Sequence, residues 1–138
     1  CLGWWLLFDL LRYNVEPIGS VGGMTLGADP LVTAVSIVSY LHGCPIPAFI
    51  VRKEAKGHGT SNFMEGKNNL EPGCSVALVE DVVTTGGTLI QVIERVESQG
   101  FKVGLVATVV DREEGGDEIL AQAGYPLKSI FTRTQLIG

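Results

Sequence analysis

The sequence predicts an α/β domain: a central, mainly parallel β-sheet flanked by helices. Three observations carry this expectation. Short apolar runs at 48–51 and 76–79, and a longer one at 103–110 broken only by Gly104 and Thr108, have the length and composition of buried parallel strands. Between them, apolar residues recur at three- and four-residue spacing, as on one face of a helix. The 138 residues suffice for one compact domain and leave little room for a second.

In chain order, residues 2–13 read as a helix packed on the sheet. The apolar stretch there is too short to span a membrane, Asp9 interrupts it, and no basic residues precede it as in a leader peptide. Residues 17–21 read as a short strand ending at Gly22-Gly23. Asp29-Pro30 opens the next helix, with proline suited to the first turn and Leu31, Val35, Val38 and Leu41 on one face. After the strand at 48–51, a polar, glycine-bearing stretch covers 52–73, long for a connection and of the kind that forms functional lids. Residues 76–79 form the central strand and 80–88 a loop. Leu89, Val92, Ile93 and Val96 mark a helix that Gly100 stops. A strand at 103–110, interrupted by Gly104 and Thr108, a short helix at 117–123 ended by Gly124, and a strand at 127–131 complete the chain. Ligands of such sheets bind beyond the carboxyl ends of the strands. The loops beginning at Gly22, Arg52, Glu80 and Asp111 are therefore expected at one rim.

A net charge of −5 argues against a nucleic-acid footprint. Within this acidic chain Arg52, Lys53 and Lys56 cluster, which fits either a small anionic ligand or a solvated loop. Three scattered cysteines, Cys1, Cys44 and Cys74, lack metal-ligand spacing and suit a reducing compartment such as the cytoplasm. A start at Cys1, without methionine, is expected of a cut or incomplete chain.

The most informative run is Glu80-Asp81-Val82-Val83-Thr84-Thr85-Gly86-Gly87-Thr88, between a buried strand and a helix. Backbone N–H groups at a helix start are unpaired and partly positive, glycines let a phosphate approach them, and threonine hydroxyls add donors. The acidic pair would repel a phosphate and suits sugar hydroxyls, since ionised carboxylates only accept hydrogen bonds. A sugar phosphate satisfies both halves. No Gly-Lys-Thr follows, as in a Walker A loop, and the acids precede the glycines, unlike a dinucleotide fingerprint. An ordinary helix cap with two surface acids is the bland alternative.

This run resembles the signature of the type I phosphoribosyltransferases, which bind phosphoribosyl pyrophosphate (PRPP). The resemblance implies that Glu80 and Asp81 hold the ribose hydroxyls and that the turn from Val82 to Thr88 holds the 5-phosphate. Arg52-Lys53-Glu54-Ala55-Lys56-Gly57-His58-Gly59-Thr60 resembles the catalytic loop of the orotate phosphoribosyltransferases within that family. By position, Arg52, Lys53, Lys56 and His58 would contact the pyrophosphate, with Lys53, Lys56, His58 and Asp81 as the catalytic set. Cations suit a leaving group whose negative charge grows, and a histidine carries a proton near neutral pH. Taken alone, His58 reads as a solvated loop residue. Thr25-Leu26-Gly27, within the run from Gly22 to Pro30, resembles the family's pyrophosphate loop, where some members carry lysine in place of Gly27. Arg112 resembles the base-site arginine, a planar fork for the carboxylate of orotate, and Thr84 would also reach the pyrimidine. A surface ion pair with Asp111 or Glu113 is the bland alternative for Arg112.

The resemblance covers residues from about Gly22 onward and implies a type I phosphoribosyltransferase fold. It further implies orotate and PRPP as substrates, Mg2+ held by the substrate and not in a protein cage, and a homodimer whose loop serves the neighbouring site. Family members carry a further N-terminal segment with a lysine and aromatic residues over the orotate, and no equivalent stands in this sequence. Two other readings stay open: a phosphoribosyltransferase for another base, and a non-catalytic PRPP-binding regulator or inactive fragment.

Overall fold

The structure, a computed structural model, describes residues 2–54 and 63–137. Its elements are α1 (Leu2–Arg12), β1 (Ser20–Met24), α2 (Asp29–Leu41), β2 (Ala48–Val51), β3 (Met64–Glu65), a 3-10 turn (Lys67–Asn69), β4 (Ser75–Val83), α3 (Gly87–Ser98), β5 (Lys102–Asp111), α4 (Gly116–Gln122), β6 (Leu127–Thr132) and α5 (Arg133–Ile137). The strands form one sheet in the order β3-β2-β1-β4-β5-β6. Every neighbouring pair is parallel except β2 with β3.

Alternation along the central strand divides the core. Val76 and Leu78 of β4 face Leu89, Val92 and Val96 of α3 and Leu120 of α4. Ala77 and Val79 face Leu7, Phe8 and Leu11 of α1 and Val32 and Val35 of α2. Burial on both faces explains why β4 reads as an unbroken apolar run.

Three expectations need correction. The first strand takes in Gly22 and Gly23 instead of ending before them. At Gly22 the Phe49 ring fills the place of a side chain, with ring atoms 2.2 Å from where a Cβ would stand. Gly23 lies as close to the Val79 carbonyl oxygen, 2.4 Å on the same measure. Tight packing between strands, not a turn, requires these glycines. Next, β4 runs past Val79 to Val83, so the acidic pair sits within a strand and not in a loop. It does so because β5 is long enough to pair with it, Glu80 opposite Thr108 and Val83 opposite Asp111. Finally, the 52–73 connection is not structureless: β3 and the 3-10 turn lie within it. The C-terminal α5 has no counterpart among the expected elements; its five residues carry no helical stripe.

Candidate active site

Parallel strands deliver their loops to the carboxyl edge of the sheet, and at that edge the structure forms a cavity of about 300 Å³. Thr25, Leu26 and Gly27 line one wall, Lys53 stands at the rim, and the run from Glu80 to Thr88 forms the floor and the other wall. The cavity lies between the ends of β1 and β4, in the middle of the sheet.

The floor has a built backbone. Gly86 caps α3 with φ of 87°, and no side chain caps the helix there. The first N–H groups of α3 therefore have no partner within the helix. The adjoining α4 shapes this turn: the Gly116 N–H donates to the Thr84 carbonyl at 3.1 Å. A Cβ on Gly116 would stand 2.6 Å from Val83 Cγ1, 2.8 Å from the Thr84 carbonyl oxygen and 3.1 Å from the Gly86 nitrogen. A phosphate fits such a cradle by chemistry, since helix-start N–H groups without helical partners and the hydroxyl-bearing residues Thr85 and Thr88 border one cavity.

The acidic pair divides by environment. Asp81 is exposed, and its Oδ1 accepts the Val82 N–H at 2.8 Å. The Gly27 loop lies against it: a Cβ on Gly27 would stand 3.0 Å from Oδ1. Glu80 is buried beside Asp81 and stands opposite Thr108 of β5, whose hydroxyl donates to the Asp81 carbonyl at 3.2 Å. Burial, then the hydrogen bond with Asp81 and its charge, pushes the Glu80 carboxyl up to about 7, while the Lys53 charge pulls the other way. An acid whose folded pKa is raised favours folding only while protonated. Stability from this group is thus complete below about pH 4.5, falls as pH rises to about 7, and is level above. The loss amounts to about 3 kcal/mol. Urea unfolding from about pH 4 to pH 8 should show this decline, and Glu80→Gln should flatten it; an unchanged slope in the variant would assign it elsewhere.

On the opposite wall, the Thr25 N–H donates to the Val51 carbonyl at 3.0 Å, and the Thr25 hydroxyl donates to Asp29 Oδ2 at 2.9 Å. The loop is thereby tied both to β2 and to the start of α2.

Of the residues singled out from sequence, the cavity gathers Thr25, Leu26, Gly27, Lys53 and all of Glu80 to Thr88. Two do not line it. The Arg52 guanidinium pairs with Glu65 on β3. Arg112 Nε pairs with Glu114 Oε2 at 3.4 Å, rather than with Asp111 or Glu113 as its sequence neighbours allowed. Asp111 Oδ1 instead accepts the Glu113 N–H at 2.9 Å, and Glu113 accepts the Thr134 hydroxyl at 2.5 Å. Lys56 and His58 lie outside the described residues. Lys53 borders the cavity of its own chain, because β2 ends directly beside β1. Sequence reasoning misses Gly116, although the Gly115-Gly116 pair at a helix start is a signal. Among the described residues no group of three or more His, Cys, Asp or Glu could hold a metal, and no helix is long and apolar enough to cross a membrane.

A sheet with the ligand cleft at its central strand ends, a phosphate turn after an acidic pair, and a facing glycine loop define a class. The phosphoribosyl transferase domain family matches residues 27–127, and the chain belongs to that family. Its curated relatives within the family include orotate phosphoribosyltransferases. That of Nostoc sp. is 49% identical over 127 residues, 92% of this chain and 60% of the relative. That of Aquifex aeolicus is 47% identical over 132 residues, 95% of this chain and 69% of the relative. Among solved structures, Mycobacterium tuberculosis orotate phosphoribosyltransferase in complex with PRPP superposes with a TM-score of 0.80 at 36% identity, covering 98% of this chain and 74% of that one. The chain thus spans about three fifths of the length of the Nostoc relative.

Proposed function

We propose that this chain carries the phosphoribosyl-transfer site of an orotate phosphoribosyltransferase, which joins orotate to the ribosyl group of PRPP and releases pyrophosphate, a step of pyrimidine (UMP) synthesis. The observation that carries the reading is the convergence of the Glu80-to-Thr88 run, the Thr25-to-Gly27 loop and Lys53 on one cavity. The ribose hydroxyls donate to Glu80 and Asp81. The 5-phosphate accepts from the backbone of the turn and from Thr85 and Thr88. Pyrophosphate lies toward Thr25, Leu26, Gly27 and Lys53, with Arg52, Lys56 and His58 completing its contacts. Thr84 and Arg112 address the pyrimidine, Arg112 exchanging its Glu114 partner for the carboxylate of orotate.

The chemistry is displacement at the ribose C1: the bond to the pyrophosphate oxygen breaks as a ring nitrogen of orotate bonds to carbon, and the proton that nitrogen carried passes to the departing pyrophosphate or to solvent. Positioning and electrostatic stabilisation suffice, and no covalent nucleophile is required. Mg2+ would be held chiefly by the substrate, with the hard carboxylate oxygens of Glu80 and Asp81 suited to stand near it, and it would neutralise charge on the leaving pyrophosphate. The working unit is a cytoplasmic homodimer in which Lys56 and His58 reach the neighbouring site while Lys53 serves its own.

Loss of orotate absorbance that depends on both PRPP and Mg2+ tests this reading. No loss in a folded protein that still binds the sugar phosphate would favour a binding regulator, and consumption of a different base would reassign the substrate. Arg112→Ala should raise the KM for orotate about tenfold to a hundredfold, as expected for a lost hydrogen bond to a charged group, with PRPP affinity kept. An unchanged KM would remove orotate recognition from Arg112.

A further inference from the structure

Lys53 reaches the cavity from the backbone just beyond β2, and that backbone is held by one side chain from elsewhere in the fold. Arg95, half-buried in the last turn of α3, donates from Nη1 to the Arg52 carbonyl at 2.7 Å. Its guanidinium carbon lies 4.3 Å from the centroid of the Phe63 ring. The two groups it touches are themselves joined, since the Arg52 N–H donates to the Phe63 carbonyl at 2.6 Å. A basic residue near a helix C-terminus ordinarily complements the helix dipole from solvent and needs no such contacts. Here the planar guanidinium sets one edge on a carbonyl and one face on an aromatic ring, a combination an ammonium cannot reproduce in full.

We propose that Arg95 is a positioning residue for Lys53. It fixes the peptide immediately before Lys53 and the chain segment beside it. It does so from the helix whose other end forms the phosphate turn, so the cation at the rim and the donors at the floor share one rigid element. The distance between them is set by the length of α3 and not by the connection that bears Lys53. The role in turnover rests on the proposed function; the anchoring itself does not.

Arg95→Ala and Arg95→Lys test the inference with three readouts: turnover, binding of ribose 5-phosphate and of inorganic pyrophosphate, and hydrogen exchange of the Arg52 amide. In Arg95→Ala, kcat and pyrophosphate affinity should fall about tenfold to a hundredfold, as displacement of a catalytic group by about an ångström does. Ribose 5-phosphate affinity should stay within about twofold, the Arg52 amide should exchange at least about tenfold faster, and amides in the first turns of α3 should be unaffected. Arg95→Lys should recover part of each loss. Unchanged exchange at Arg52, or parallel loss of both ligands, would overturn the inference. Should the parent protein fail to consume orotate, the functional reading falls, whereas pyrophosphate binding and exchange at Arg52 still decide the role of Arg95.

Discussion

Gly116→Ala is expected to weaken ribose 5-phosphate binding by about tenfold to a hundredfold and to destabilise the domain by about 1–3 kcal/mol. The added methyl group meets the Thr84 carbonyl and the Gly86 nitrogen, backbone atoms that no rotamer change can move aside. Relief requires α4 to draw back from the turn, which breaks the Gly116 N–H bond to Thr84 and displaces Gly86, the residue that aims the first donors of α3. The neighbouring Gly115 supplies the control. Its φ is 96° and no atom stands within 4 Å of where its Cβ would be, so Gly115→Ala costs only the left-handed backbone strain, about 1–2 kcal/mol, and leaves phosphate affinity unchanged. Titration calorimetry with ribose 5-phosphate and urea unfolding on both variants measure the two effects separately. Equal affinities in the two variants would mean that α4 does not shape the cradle.

Lys53→Ala is expected to lower turnover of PRPP by about 10²- to 10³-fold, the effect of deleting one preorganised group opposite developing charge. Lys53 is the one cation lining the cavity among the described residues. Its influence on Glu80 gives a second readout. The Lys53 charge lowers the Glu80 pKa, so its removal leaves burial and Asp81 unopposed and moves the Glu80 titration upward from about 7. The pH range over which stability declines should extend upward with it. Steady-state kinetics and a carbon-detected titration of Glu80 check both. A kcat within about threefold of the parent, far from the loss expected of a group facing developing charge, would remove Lys53 from the pyrophosphate contacts.

The elements that sequence places well are those whose signal is local. Residues Ala48–Val51 are buried on alternating faces between Pro47 and Arg52, and they form β2 with the bounds the apolar run predicts. The helix that begins at Asp29-Pro30 follows from the proline of its first turn and from its stripe, of which Leu31, Val35 and Val38 are buried while Leu41 is exposed. Misplaced elements depend on partners distant in the chain. Gly22 and Gly23 read as a turn because glycine ordinarily marks one, and only the Phe49 ring and the Val79 carbonyl show that they belong in a strand. Glu80 and Asp81 read as loop residues because they are charged, yet β5 carries the pairing past them. β3 has two residues, too few for any periodicity. At the site, the run from Glu80 to Thr88 is legible because one continuous segment forms the cradle. Gly116 and Arg95 are not, since each acts through contacts across the chain, 43 residues in the case of Arg95 and Arg52.

The position of β1 ties assembly of the domain to possession of a binding cleft. This strand pairs with β2 on one side and β4 on the other, and the whole 52–74 stretch separates those two partners in the chain. Docking β1 onto β4 therefore carries a large loop-closure entropy cost. A chain in which β4, β5 and β6 had come together without β1 would carry the phosphate turn but lack the Thr25-to-Gly27 wall. Tight ligand recognition and complete closure of the sheet thus arrive together, so a bound sugar phosphate stabilises the domain as a whole. At a concentration of about 100 times its Kd, the ligand raises the free energy of global unfolding by about 2.7 kcal/mol.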